Sequence, residues 1–218
     1  MGPEVMSNNY AQQSVEIWQS AVRSARSRCG RSGPLRALTA TLLLALFGHG
    51  AAAQTPDQAV TINREYSIKA AFLYHFATYV EWPPQAFPAE KKTPFVIGLY
   101  QSDPFGTALS QIAQTKTVDG HPIEVRLLKS TDGIAQCQIL FVPKSATPEQ
   151  QAAALRATKN SLILVIGEAD DFIERGGNAQ FFLEGNKVRF AFSAELSKRE
   201  DLKVSSKLLS LAKIVPKK

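Results

Sequence analysis

The sequence predicts an α/β fold: a single three-layer domain, with a mixed, mostly parallel sheet, helices on both faces and a C-terminal β-hairpin. Two continuous apolar runs, Cys137–Val142 and Leu162–Ile166, have the β-branched content of strands covered on both faces. Capped helical segments alternate with such strands, which calls for crossovers and parallel pairing. Near the end, Ala179–Leu183 and Lys187–Phe192 flank Glu184-Gly185-Asn186, whose residues tolerate the positive φ of a tight hairpin turn.

The chain opens on an export signal. Arg23, Arg26, Arg28, Arg31 and Arg36 precede or open an apolar stretch from Ala37 to Phe47. That stretch is about 11 residues, against the roughly 20 needed to span a bilayer. Ala51 and Ala53 supply the small side chains of an A-x-A cleavage site, with Gln54 as the first mature residue. Residues 1–53 therefore read as a signal peptide with a long n-region: either translation starts further in, or the signal is long. Cleavage after Ala53 predicts an exported protein of 165 residues, the length of one domain. Residues 54–63 are polar and Pro-containing, a loose, flexible lead-in to the domain at 64–218.

From Arg64 the pattern turns helical. Ile68, Phe72, Phe76 and Val80 repeat at every fourth position, with Ala70, Leu73 and Ala77 widening the apolar face. Lys69, Thr78 and Glu81 take the remaining arc, and Trp82-Pro83-Pro84 ends the helix. Phe95–Tyr100 reads as a first buried strand. Asp103 as N-cap and Pro104 at N1 predict a helix to about Ala113. Ile123–Leu128 alternates, as a strand near a sheet edge does, and Thr147-Pro148 opens a capped helix to about Thr158. Asp170–Glu174 reads as one helical turn and Gly176-Gly177 as a tight turn. A short helix over Ala194–Glu200 and another over Lys207–Ile214, capped by Ser205 or Ser206, complete the reading.

Composition narrows the function. Removing the five arginines and two glutamates of residues 1–53 from totals of 25 basic and 19 acidic residues leaves 20 against 17. That balance, without a long basic run, argues against nucleic acid. Cys137 is the one cysteine left after cleavage, so no internal disulfide forms, and its apolar setting reads as a packed thiol. His75 and His121 lack a second ligand at metal spacing, and no Walker loop or G-x-S-x-G elbow occurs. Glu168, Asp170, Asp171 and Glu174 lack EF-hand spacing. No cofactor, metal or catalytic constellation is expected, and the chain does not read as an enzyme.

Five residues stand out as candidates for partner binding. Lys69 interrupts an apolar helix and is either a solvated edge or paired with a carboxylate; Glu81 lies on the same arc. Trp82 is either helix-end packing or a partner anchor. Arg189 alternates with Val188 and Phe190, as a solvent-facing arginine or one paired with Glu195 or Glu184. Lys207 follows Ser205 and Ser206, which form either a cap or a polar pocket for an anion.

Three segments together resemble the YfiR-like periplasmic family (DUF4154). These are Ile68–Pro83, which carries the motif Lys-Ala-Ala-Phe-Leu-Tyr-His-Phe and ends in Val-Glu-Trp-Pro; Gly176–Phe182 with Asn186–Phe190; and Leu202–Ala212. The resemblance runs from about residue 66 to 215. It implies a periplasmic homodimer that represses an inner-membrane diguanylate cyclase through that enzyme's periplasmic sensor domain. Release then raises cyclic-di-GMP and favours biofilm, and an outer-membrane lipoprotein can sequester the repressor. The chain departs from the family in lacking paired cysteines and in carrying Ser193 where Asn is common. The alternative is a periplasmic small-molecule-binding protein feeding a sensor kinase or cyclase, its ligand held near the carboxyl ends of the parallel strands.

Overall fold

A computed structural model describes residues 56–87 and 93–216. The expected signal peptide and its expected cleavage site lie outside the described residues. Helix α1 (Pro56–Tyr79) runs into a two-residue strand, β1 (Val80–Glu81), before Pro83 and Pro84 turn the chain. There follow β2 (Phe95–Tyr100), α2 (Thr107–Thr115), β3 (Thr117–Val118), β4 (His121–Leu128) and β5 (Ile139–Val142). Next come α3 (Pro148–Ala157), β6 (Leu164–Gly167) and the hairpin of β7 (Ala179–Glu184) and β8 (Lys187–Ser193). The chain closes with β9 (Lys203–Val204), α4 (Ser206–Leu209) and β10 (Lys213–Val215).

The main sheet has eight strands in the order β10-β8-β7-β6-β5-β2-β4-β3. Pairing is parallel from β4 through β2, β5 and β6 to β7, and antiparallel between β7 and β8. Because β2 lies between β4 and β5, the winding direction reverses there. β1 and β9 form a separate antiparallel ribbon. The expected architecture is present: a mixed, mostly parallel sheet with helices on both faces.

Side-chain alternation builds the two cores. Phe95, Ile97 and Leu99 of β2, with Ile139 and Phe141 of β5, pack under α1 and α2. Val96 and Tyr100, with Leu140 and Val142, face the other way, toward α3. The α1 stripe works as its spacing predicts: Phe76 is fully buried, stacked on Phe181 at 5.7 Å and set edge-on to Phe190 at 5.0 Å. At α3, Thr147 and Gln150 form a complete capping box. The hairpin turns through Gly185 and Asn186, with φ +58° at Gly185, the glycine position of a type II′ turn.

Several boundaries differ from expectation. α1 begins at Pro56, so residues 56–63 are its first turns rather than a loose lead-in. Asp103 does not cap α2: its Oδ1 accepts from the Phe105 N–H at 2.8 Å, and Gly106, at φ +57°, redirects the chain before the helix starts. That detour buries Phe105 edge-on to Phe141 at 4.8 Å. Ala194–Glu200 contracts to a 3₁₀ turn at Leu196–Lys198. The last helix stops after four residues, and Lys213–Val215 pair with Ala191–Ser193 instead. The β-branched Ile214 and Val215 gain ladder hydrogen bonds there that a frayed terminal helix does not offer.

The Gly176-Gly177 pair has two separate causes. Gly176 adopts φ +113°, which only glycine takes readily. Gly177 lies against the fully buried Phe172: a Cβ there would stand 2.3 Å from the ring and 2.9 Å from the Phe172 carbonyl oxygen. Cys137 similarly fills space left by a glycine, since a Cβ on Gly98 would stand 2.7 Å from its Sγ. Burial pushes the Cys137 pKa up to about 11, which keeps it an unreactive thiol. Gly177→Ala is expected to lose about 1–3 kcal/mol by overpacking, read as a lower urea midpoint with unchanged slope. An unchanged midpoint would mean that Phe172 yields freely.

Candidate functional site

In doubly wound sheets the crevice outside the carboxyl ends of the strands, where the winding reverses, is the usual ligand position. Here that point lies beyond Tyr100 and Val142. The loops leaving β2 and β5 are tied together by a 2.8 Å hydrogen bond between the hydroxyls of Ser102 and Ser145. Over them lies the first half of α1, which presents Glu65, Tyr66 and Lys69. Their spacing of three and four residues stacks them on one side of the helix.

Lys69 is 4% exposed and Glu168, the residue after β6, is 7% exposed. The Lys69 ammonium donates to Glu168 Oε1 at 2.5 Å and also to Glu65 Oε1. Its Nζ stands 4.6 Å from the centre of the Tyr66 ring, a cation–π position. Glu168 Oε2 accepts from the Lys144 backbone N–H at 2.8 Å and from the Tyr66 hydroxyl at 3.3 Å. Tyr66 in turn sets its ring edge-on to Phe105 at 5.6 Å. Burial, followed by the negative charges of Glu168 and Glu65, raises the Tyr66 pKa well above the usual phenol value, so its proton stays available for donation.

This cluster clamps rather than reacts. Removing an ammonium and a carboxylate from water costs several kcal/mol each, and only a complete set of partners offsets it. The partners are complete: no buried side-chain nitrogen or oxygen among the described residues lacks a hydrogen bond. The cluster's donors and acceptors are turned on one another, and they join α1, the β5–α3 loop and the end of β6. Among the described residues, no group of three or more His, Cys, Asp or Glu side chains is arranged to hold a metal ion.

The five sequence candidates are not assembled into one site. Lys69 is interior. Trp82 packs at the other end of α1, donating its indole N–H to the Ala77 carbonyl at 2.8 Å and meeting Phe95 edge-on at 5.1 Å. Glu81 is exposed on β1, opposite Lys203 of β9. Lys207 is exposed on α4, whose N-cap Ser205 accepts from the Leu208 N–H, so that serine acts as a cap. Glu81 and Lys207 share one corner, because the Ser205 N–H donates to the Tyr79 carbonyl at 2.9 Å. Arg189 lies apart on the hairpin, paired with Glu184 at 3.1 Å in solvent.

Both histidines have ordinary surroundings. His121 donates from Nδ1 to the Thr93 carbonyl at 2.7 Å and stacks on Phe87 at 4.3 Å. His75 sits half-buried between Tyr74 and Tyr79, where burial lowers its pKa below the ordinary 6.5. Sequence reasoning left Lys69 either solvated or paired with a carboxylate it did not name. The Glu65–Lys69 spacing was visible, but Glu168, 99 positions away, becomes a partner only through the sheet.

Residues 66–213 match the family model described as YfiR/HmsC-like. No curated protein matches the chain. The matched segment contains Tyr66, Lys69 and Glu168, and it ends at the first residue of β10.

Removing one partner of the buried pair leaves the other uncompensated. Lys69→Ala is therefore expected to destabilise the domain by about 3–5 kcal/mol, measured by urea unfolding. A loss under about 1 kcal/mol would place the pair in the range of exposed ion pairs. The lowered pKa of His75 means that the unfolded chain takes up its proton at higher pH than the fold does. Its contribution is thus present above pH 6.5 and is lost as pH falls through that value toward the folded pKa. Melting temperatures at pH 7.5 and 5 should differ less in His75→Phe than in the wild type. Equal differences would show that another group sets the acid sensitivity.

Proposed function

The chain belongs to the YfiR/HmsC-like family, and from that premise we propose that it is a periplasmic regulatory protein that binds and represses a membrane-bound diguanylate cyclase. The single observation that carries this reading is the family match across residues 66–213. The family is periplasmic and regulatory rather than catalytic. The closed clamp at the sheet's carboxyl ends is in keeping with that role, since its polar groups satisfy one another instead of facing a substrate.

In this reading the exported protein contacts the cyclase's periplasmic sensor domain and acts as a homodimer, and an outer-membrane lipoprotein competes for it. Repression is a population shift: the protein must bind the inactive sensor state more tightly than the active one. Moving a sensor from almost fully active to almost fully inactive needs about 10⁴-fold preference, roughly 5.5 kcal/mol. The contact surface we favour is the corner where α1 ends and β9 leads into α4. Trp82 supports that corner from inside, while Glu81 and Lys207 stand at its surface. Charges at a rim chiefly set association rate and specificity.

Cyclic-di-GMP should rise when the gene is deleted and return to normal when the protein is supplied with its own export signal. An unchanged level on deletion would overturn the cyclase reading. Exported protein carrying both Glu81→Lys and Lys207→Glu should restore the low level less completely than wild type. Full restoration would remove this corner from the contact surface.

A further inference from the structure

An open groove lies over the amino ends of β6 and β7, at the opposite end of the sheet from the Lys69–Glu168 clamp. It runs between the C-terminal half of α3 and the 3₁₀ turn at Leu196–Lys198, and encloses about 820 Å³. We propose that this groove binds a small organic anion, with an apolar body and a phosphate or carboxylate head.

Charge is the first reason. Four cationic side chains line the groove, Arg156, Lys159, Arg175 and Arg199, against two acidic ones, Glu195 and Asp201. Two of the cations are held in place. Arg175 donates from Nη1 to Gln151 Oε1 at 2.9 Å and from Nη2 to the Pro148 carbonyl at 3.1 Å. Gln151 is itself 6% exposed and anchored through its own donation to the Ala146 carbonyl at 2.8 Å. Arg199 is held by both oxygens of Asp201, at 2.8 and 2.6 Å, and by the Ser161 carbonyl at 3.0 Å. These bonds engage its Nε and Nη2, leaving Nη1 without a hydrogen bond among the described residues. Guanidinium groups fixed in this way lose little freedom when an oxyanion arrives.

Arg156 and Lys159 differ: both are exposed, and neither has an ion pair or side-chain hydrogen bond among the described residues. Their place at the end of α3 also complements the helix dipole. That role alone does not require two further guanidinium groups on the walls of the same groove. The floor is the second reason. The half-buried Leu155 contributes apolar surface between the charges, backed by the buried Val165 and Leu196 beneath it. Such a surface favours an anion with an apolar body over a free inorganic ion. The volume falls within the range of small-molecule sites.

The test is independent of the cyclase, so the two readings fail separately. Isotope-labelled protein isolated from the periplasm is titrated with phenyl phosphate, benzoate and inorganic phosphate, and amide shifts are followed by NMR. Saturable shifts centred on Val165, Leu196 and Arg199 are expected with phenyl phosphate or benzoate, and the tighter of the two identifies the head group. Inorganic phosphate should bind about tenfold or more weakly than the tighter of them. The Arg156→Glu/Lys159→Glu variant, altered only at exposed positions, should bind at least about tenfold more weakly than wild type. Absence of saturable shifts with both organic anions, equal affinity for inorganic phosphate, or an unaffected double variant would each overturn the proposal.

Discussion

A lysine ammonium group removed from water must find charge and hydrogen-bond acceptors in the same place, and Lys69 finds them only if three distant segments meet. Glu65 comes with the helix. Glu168 arrives from the end of β6, and Lys144 from the β5–α3 loop reaches the other oxygen of that carboxylate with its backbone N–H. The requirement fixes the position of α1 along the sheet. Once α1 is set there, Phe72 and Phe76 fall on Phe181 and Phe190, and Trp82 reaches Phe95 at the opposite end. Hydrophobic contacts alone are non-directional and tolerate sliding. The ion pair does not, because a shift of one helical turn would strand a buried charge.

That clamp also separates the domain's two ends chemically. At the carboxyl ends, where a doubly wound sheet usually opens a ligand crevice, polar groups are satisfied internally and the loops are tied together. At the amino ends, cationic groups remain with donors unspent, and the β1–β9 ribbon carries exposed charges. The division leaves one end closed on itself and the other with charged groups facing solvent.

Much of the fold was legible locally because its causes are local. The four-residue repeat in α1, the Thr147 cap, the buried strands β5 and β6 and the hairpin turn at Gly185 all follow from side chains close in sequence. The failures share a different cause. Asp103 has the form of a helix cap, yet Phe105 gains more by reaching Phe141, and Gly106 permits the detour. Lys207–Ile214 has helical spacing, yet the free edge of β8 draws Lys213–Val215 into the sheet. Gly176-Gly177 reads as a turn, but the reason for its second glycine is the ring of Phe172, invisible until the chain folds back on it.

By itself the sequence determined the α/β class, the order of most elements, which strands are covered on both faces and the family. Those depend on periodicity, capping and motif, which neighbouring residues express without help. Tertiary structure alone decided that Lys69 is buried in an interior clamp, that Trp82 packs inward, and that four cations from three segments face one groove. Each depends on which residues distant in sequence are brought within a few ångströms. Hydrogen bonds need near-contact distances, and spacing along the chain does not say which distant residues reach them.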